Sequence, residues 1–158
     1  MAKTPSYIAS LNALANAERG GQVLFERWAA KTKNADLRQV LETVAIREAE
    51  HSWAFEKRLD ELGFPCKKAA PGKALGKLKR LMGSDASDEA KFEAFGIGVR
   101  RSGESGGDRL LALLADETID PQTGALLGRF ICEERDSGRI LTRAYKALKR
   151  KKQRKKAA

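Results

Sequence analysis

The residues with the clearest capacity for chemistry are Glu48 and His51, in the segment AIREAEHSWAFEKRL. His51 is the only histidine among 158 residues. A carboxylate and an imidazole three positions apart on a helix lie on the same face, about one turn from each other. Oxygen and imidazole donors together suit iron, manganese or zinc. The pair is therefore a candidate half of a metal site, and the alternative is an ordinary core histidine.

The elements that must position this pair are predicted to be helices. Charged residues make up 33% of the chain and hydrophobic residues 42%, with only 4 prolines, which is typical of one soluble helical domain. Apolar residues recur at three- and four-residue spacing. Thr4 and Pro5 are expected to open the first helix, and Asn34 to cap a second helix that Gly63 ends.

A long connection is predicted over residues 64–86, with a short helix at 73–82. Ser87 or Asp88 is expected to cap a third helix that reaches about residue 117, and Asp120 with Pro121 to open the fourth. Short turns within each pair and a long crossover between the second and third helices predict an antiparallel four-helix bundle of two helical hairpins over residues 4–148.

The two hairpins are also related in sequence. A shift of 86 positions places Glu104 on Glu18 and Glu134 on Glu48, without a gap. Glu18 and Glu48 are equally far from the turn near residue 33, so they lie at the same height on their helices. The second pair of glutamates straddles its own turn in the same way. All four carboxylates are thus expected to meet in the middle of the bundle, near His51.

These motifs resemble the ferritin-like superfamily and, within it, the rubrerythrin-type di-iron carboxylate proteins. The resemblance implies one glutamate on the first and third helices and Glu-x-x-His on the second and fourth. The positions that match are Glu18, Glu48, His51, Glu104 and Glu134. The departure is Ser137, which occupies the position of the second histidine. Glu133 and Asp136 offer an alternative pair, but their helical phase lies off the apolar line, which favours Glu134.

Four inward carboxylates need compensating charge, because burying an ion costs several kcal/mol. Two divalent cations would supply it. The alternative is a metal-free core in which Arg100, one turn before Glu104, or its neighbour Arg101 pairs with the carboxylates. Asp108, one turn after Glu104, is either an outer partner of the site or an ordinary surface residue.

The resemblance implies a di-iron oxidoreductase that activates dioxygen or peroxide, with manganese or zinc as other candidate metals. The sequence has no four-cysteine iron–sulfur motif, so an external electron donor is expected. A homodimer is an expected assembly. The alternative function is a degenerate, metal-free bundle that acts as a binding or structural protein.

The net charge of +10 is concentrated at the C-terminus. Eight of the 31 basic residues lie in the segment 146–156, which leaves 23 against 21 acidic residues elsewhere. Residues 149–158 are predicted to be a disordered polybasic tail that contacts nucleic acid or an anionic membrane, or that only aids solubility. The N-terminal segment MAKTPSYIAS has no apolar signal stretch, so we expect a cytoplasmic location.

Overall fold

All regular secondary structure is helical in residues 4–97 and 109–157, the part of the chain that this computed structural model describes. The elements in chain order are α1 (Ile8–Lys31), α2 (Ala35–Glu61), α3 (Lys73–Met82), α4 (Asp88–Phe95), α5 (Arg109–Leu114) and α6 (Pro121–Ala157). The all-α class predicted from composition and periodicity is confirmed.

Helices α1 and α2 form a hairpin whose ends were largely readable from the sequence. The Asn34 side chain accepts hydrogen bonds from the amides of Asp36 and Leu37, at 3.1 and 3.3 Å. Gly63 adopts the left-handed conformation just after α2, with φ 80°. The predicted cap and stop of the second helix are therefore confirmed.

The first helix begins later than predicted. It starts at Ile8 after Tyr7, which makes no side-chain cap, rather than at Thr4 and Pro5. The Ser6 hydroxyl instead donates to the Asp116 carboxylate at 2.5 Å, more than 100 residues away. Residues 6 and 7 form a turn that the Ile8 amide closes by donating to the Pro5 carbonyl at 3.3 Å.

The crossover between α2 and α4 contains the predicted short helix, α3, at its predicted bounds. Helix α3 packs on α1 through Leu75, and a Cβ atom added to Gly20 would lie only 2.9 Å from the Leu75 Cδ2 atom. The absence of a side chain at Gly20 thus allows the crossover to lie close to the hairpin.

The third helix was predicted wrongly as one continuous element to about residue 117. Ser87 caps α4 by accepting from the Ala90 amide, but α4 ends at Phe95. Gly96 follows with φ 88°, and its amide donates to the Glu93 carbonyl, which is how a left-handed glycine ends a helix. In the described part of the chain that follows residue 108, α5 (Arg109–Leu114) precedes the second turn.

The last helix is longer than predicted. Asp120 accepts a hydrogen bond from the Thr123 amide at 3.0 Å and caps α6 as expected. The helix then continues to Ala157, through the segment that was expected to be disordered. Within residues 4–97 and 109–157, no helix combines the length and apolar character that a membrane span requires.

The core consists of two apolar clusters that are separated along the helix axes. One includes Trp28, Leu41 and Leu141, and the other includes Leu11 and Phe55. On α1, α2 and α6 alike, polar side chains interrupt the apolar stripe between the two clusters. The buried polar members of this layer, which we call the polar layer, are Glu18, Glu48, His51 and Ser137, with Glu134 half-buried beside them.

Candidate metal centre

His51 is the centre of the polar layer and is 4% exposed. Its Nδ1 atom lies 3.1 Å from a carboxylate oxygen of Glu18 on α1 and 3.8 Å from Oε1 of Glu134 on α6. The ring of Phe130 contacts it edge-on, with centroids 5.0 Å apart. One imidazole nitrogen therefore faces two carboxylates that two other helices supply, as the predicted common height requires.

Three of the predicted ligands form a compact group of donors. One atom each from Glu18, His51 and Glu134 lies within 4.8 Å of the other two. A divalent transition metal bonded at about 2.0–2.2 Å would hold such atoms roughly 3–4 Å apart. Oε1 of Glu134 is buried and has no hydrogen-bond partner among the described residues. A small movement of the side chains would therefore complete a three-ligand site that uses this unsatisfied oxygen.

Glu48 lies against α1 next to this group. Its carboxylate occupies the space that a side chain at position 21 would need, so Gly21 makes room for it. It also hydrogen-bonds with Glu18, and burial raises its pKa well above the usual range, with further contributions from the charges of Glu18 and Glu134. The raised pKa favours the neutral, protonated form of Glu48, which explains how its carboxyl group can lie beside Glu18.

The same burial affects the other titrating members of the polar layer. Burial raises the pKa of Glu134 to about 7, with Glu18 adding to the rise and His51 and Arg47 opposing it. Burial lowers the pKa of His51, but hydrogen bonds with Glu18 and Glu133 outweigh it, so the pKa lies above its ordinary value. In the absence of a metal, the imidazolium ion is thus the cation that these carboxylates stabilise.

Glu133 contacts the site, although its helical phase predicted otherwise. Its Oε2 atom lies 2.7 Å from Nε2 of His51, and its Oε1 atom accepts from Arg129 at 2.9 Å. Hydrogen bonds from Arg129 and His51 outweigh burial and lower the pKa of Glu133. Glu133 therefore orients the imidazole through Nε2, while Nδ1 faces the carboxylates of Glu18 and Glu134. The sequence signal for Glu133 is its position directly before Glu134.

Ser137, at the position of the missing histidine, is engaged by a residue that sequence reasoning did not identify. Nη1 of Arg47 donates to its hydroxyl at 3.1 Å and lies 3.0 Å from Oδ2 of Asp136. Asp136 therefore does not join Glu133 in a ligand pair. Arg47 directly precedes Glu48 on α2, and its positive charge opposes the rise in the pKa of Glu134 that burial causes.

The other predicted participants belong to the segment that was predicted to form the third helix. Glu104, Arg100, Arg101 and Asp108 lie outside the described residues. The predicted contribution of Glu104 and the pairing proposed for Arg100 stay predictions.

Comparison with known proteins adds no relative. No family model matches the chain, and neither a curated protein nor a solved structure matches it. The geometry of the polar layer and the resemblance of its motifs therefore carry the functional reasoning.

Proposed function

We propose that the protein is a ferritin-like four-helix bundle that binds a divalent metal ion through Glu18, His51 and Glu134. The observation that carries this proposal is the buried Oε1 atom of Glu134, which has no hydrogen-bond partner among the described residues and lies 3.8 Å from His51 Nδ1. Unsatisfied buried carboxylate oxygens are costly. A metal ion at this point would satisfy the oxygen and neutralise the neighbouring charges.

The donor set favours a transition metal. Two carboxylates and one imidazole suit iron, manganese or zinc better than calcium or magnesium, which prefer oxygen ligands alone. Glu48 adjoins Glu18 and is available as a further ligand once its proton leaves. Metal binding is then coupled to proton release, because ligands coordinate in their deprotonated forms.

A second metal ion remains a prediction that depends on Glu104. Among the described residues, the position where a second imidazole would serve it holds Ser137, with the Arg47 guanidinium hydrogen-bonded to it. A fixed positive charge there opposes a second cation. We therefore propose one ion per chain at the described ligands.

An oxidoreductase that acts on dioxygen or peroxide is the activity that the ferritin-like resemblance implies. Bound iron would supply redox chemistry toward these oxidants. A cavity of about 110 Å³ between α2 and α6 reaches His51 and is lined by Trp53, Arg129 and Phe130, among others. It offers a route for small molecules to the imidazole side of the site.

Metal titration of the full-length chain tests the binding proposal. Stripped protein is loaded with Co(II), whose visible spectrum reports imidazole and carboxylate ligation, and with Fe(II), followed by elemental analysis. We expect one ion per chain, and strong loss of affinity in Glu134→Gln and in His51→Gln. Glu50→Gln, an exposed change on α2, is the matched control. Wild-type protein that binds no more metal than His51→Gln overturns the proposal.

A metal-free helical bundle is the second candidate. The observation that favours it is the pairing of His51 with carboxylates at both ring nitrogens, at 3.1 and 2.7 Å. In that case the polar layer already balances its own charge. The same titration separates the two candidates, because the metal-free bundle shows no cobalt spectrum and no metal-dependent rise in melting temperature.

A further inference from the structure

Helix α6 continues beyond the core as a basic helix. Tyr145 and Leu148 are its last residues in contact with an apolar cluster. The helix then runs on to Ala157 through a segment that holds no acidic residue. A continuous helix fixes the directions in which its side chains point, unlike the disordered tail that composition predicts.

The basic residues up to Arg154, whose side chains the structure describes, divide between two faces. On the inner face, Lys151 lies 3.1 Å from Asp36 of α2, while Lys152 lies 3.3 Å from Glu89 and Lys149 lies 3.8 Å from Glu93 of α4. These ion pairs turn three of the positive charges toward the bundle.

The outer face carries a second set, which we call the basic ridge. Its members are Arg143, Lys146, Arg150 and Arg154, at spacings of three, four and four residues. This spacing places them in one line along the helix. All four are exposed, and none forms an ion pair with an acidic residue of the described chain. At 1.5 Å per residue, the ridge spans about 16 Å.

We propose that the basic ridge binds the phosphate backbone of a nucleic-acid duplex. A straight line of cations with one-turn spacing complements a regular row of phosphates, and arginine pairs with phosphate through two hydrogen bonds. An anionic membrane is a poorer match. Helices that bind membrane surfaces bury a face of large apolar residues, and no large apolar residue follows Leu148. Recognition through phosphates alone carries no base specificity.

The ridge predicts a measurable dependence of binding on salt. For duplex DNA, the logarithm of the binding constant falls with the logarithm of salt concentration by about 0.9 per neutralised phosphate. Four ridge contacts therefore predict a slope of about −3.6. Removing three of them is expected to bring the slope close to −0.9.

The test compares two triple variants of the full chain that lose the same charge. The ridge variant is Lys146→Gln, Arg150→Gln and Arg154→Gln. The control variant is Lys149→Gln, Lys151→Gln and Lys152→Gln, on the inner face. Binding to a labelled mixed-sequence duplex of about 20 base pairs is measured by fluorescence anisotropy at several salt concentrations. Because about 10 base pairs span about 34 Å of the duplex axis, this duplex is longer than the ridge.

We expect the ridge variant to lose most of the salt dependence and at least tenfold in affinity at low salt, while the control variant keeps a slope near that of wild type. Circular dichroism confirms that both variants are folded. Equal losses in the two variants would show that net charge alone acts and would overturn the ridge. Wild-type protein that ignores the duplex at low salt, or that binds anionic phosphatidylserine vesicles in preference to it, overturns the proposal as well.

Discussion

Restoring the missing histidine is the most direct way to ask what the polar layer is for. Ser137 is 4% exposed and accepts a hydrogen bond from Nη1 of Arg47 at 3.1 Å. In Ser137→His, the ring must share this space with the guanidinium. Inserting atoms into a packed site costs about 1–3 kcal/mol of unfolding free energy. The single variant is thus expected to lose stability without gaining metal, because the charge of Arg47 remains.

The double variant Arg47→Met with Ser137→His separates sterics from ligation. Methionine keeps the apolar stem but removes the charge and frees space for the imidazole. Arg47→Met alone leaves Asp136 with only its weaker partner Arg139, at 3.4 Å, and both of these side chains are substantially exposed. It also removes the hydrogen-bond donor of the buried Ser137 hydroxyl, so its cost is expected to be about 1–3 kcal/mol. The double variant is expected to recover stability in the presence of metal and to bind one further ion per chain.

Chemical denaturation with and without Co(II), together with metal stoichiometry, provides the assay for all four members of this cycle. The coupling free energy between the two positions is expected to be about 1 kcal/mol or more when metal is present. If Ser137→His alone gained the second ion, Arg47 would not be the obstacle. If the double variant gained none, position 137 would not be a ligand position, and the symmetric origin of the site would be refuted.

Three further outcomes follow from the packing and the helix ends. Gly21→Ala forces the Glu48 carboxylate to move and is expected to be about 1–3 kcal/mol less stable than the matched Gly138→Ala, whose added methyl meets nothing within 4 Å, as urea unfolding would show; equal stabilities would contradict the contact. Asp120→Ala removes the cap of α6 and is expected to cost about 0.5–2 kcal/mol at pH 7. The hydrogen bond from the Thr123 hydroxyl, opposed by burial and aided by Arg58, holds the pKa of Asp120 well below its ordinary value. The stability that Asp120 contributes is therefore present above about pH 4 and lost as the pH falls below it, so the deficit of the variant should shrink in acid, and a constant deficit would contradict this. Among the described contacts, deleting residues 149–158 removes three ion pairs and the contact of Lys149 with the Tyr145 ring, and is expected to leave the melting temperature nearly unchanged; a large drop would place these residues in the core.

Local signals predicted the parts of the fold that local forces determine. The bounds of α3, the Asn34 cap and the Asp120 cap all depend on residues within four positions of each other. The polar layer was equally readable, since charged side chains on an apolar stripe stand out against its three- and four-residue period. Because Glu18 and Glu48 are equally far from the turn near residue 33, the sequence alone predicts that Glu18 lies beside the second helix at the height of Glu48.

Long-range contacts explain most of what the sequence did not predict. The residues before α1 contact a distant segment, since the Ser6 hydroxyl donates to the Asp116 carboxylate. The end of α4 depends on the left-handed conformation of Gly96, and the spacing of apolar residues does not indicate that conformation. Helical phase misjudged Glu133, because a long side chain at the edge of the stripe can still reach the His51 ring. Arg47 carried no signal, since arginines beside an apolar stripe usually point to solvent.

The polar layer contributes less to the free energy of unfolding than an apolar core would, and this supports the proposal that it binds a ligand. Buried ionic groups can often be replaced by apolar residues of similar volume with no loss, or with a gain, in unfolding free energy. Here the two apolar clusters already lie on either side of the layer. Joining them through apolar side chains at positions 18, 48 and 51 would extend one core along α1 and α2. Instead the chain keeps two carboxylates in contact, keeps a glycine at position 21 to admit one of them, and leaves an oxygen of Glu134 without a hydrogen bond from any described residue. Both the contact between the two carboxylates and the unsatisfied oxygen of Glu134 cost folding free energy in the metal-free protein, and the cation that we propose would stabilise both.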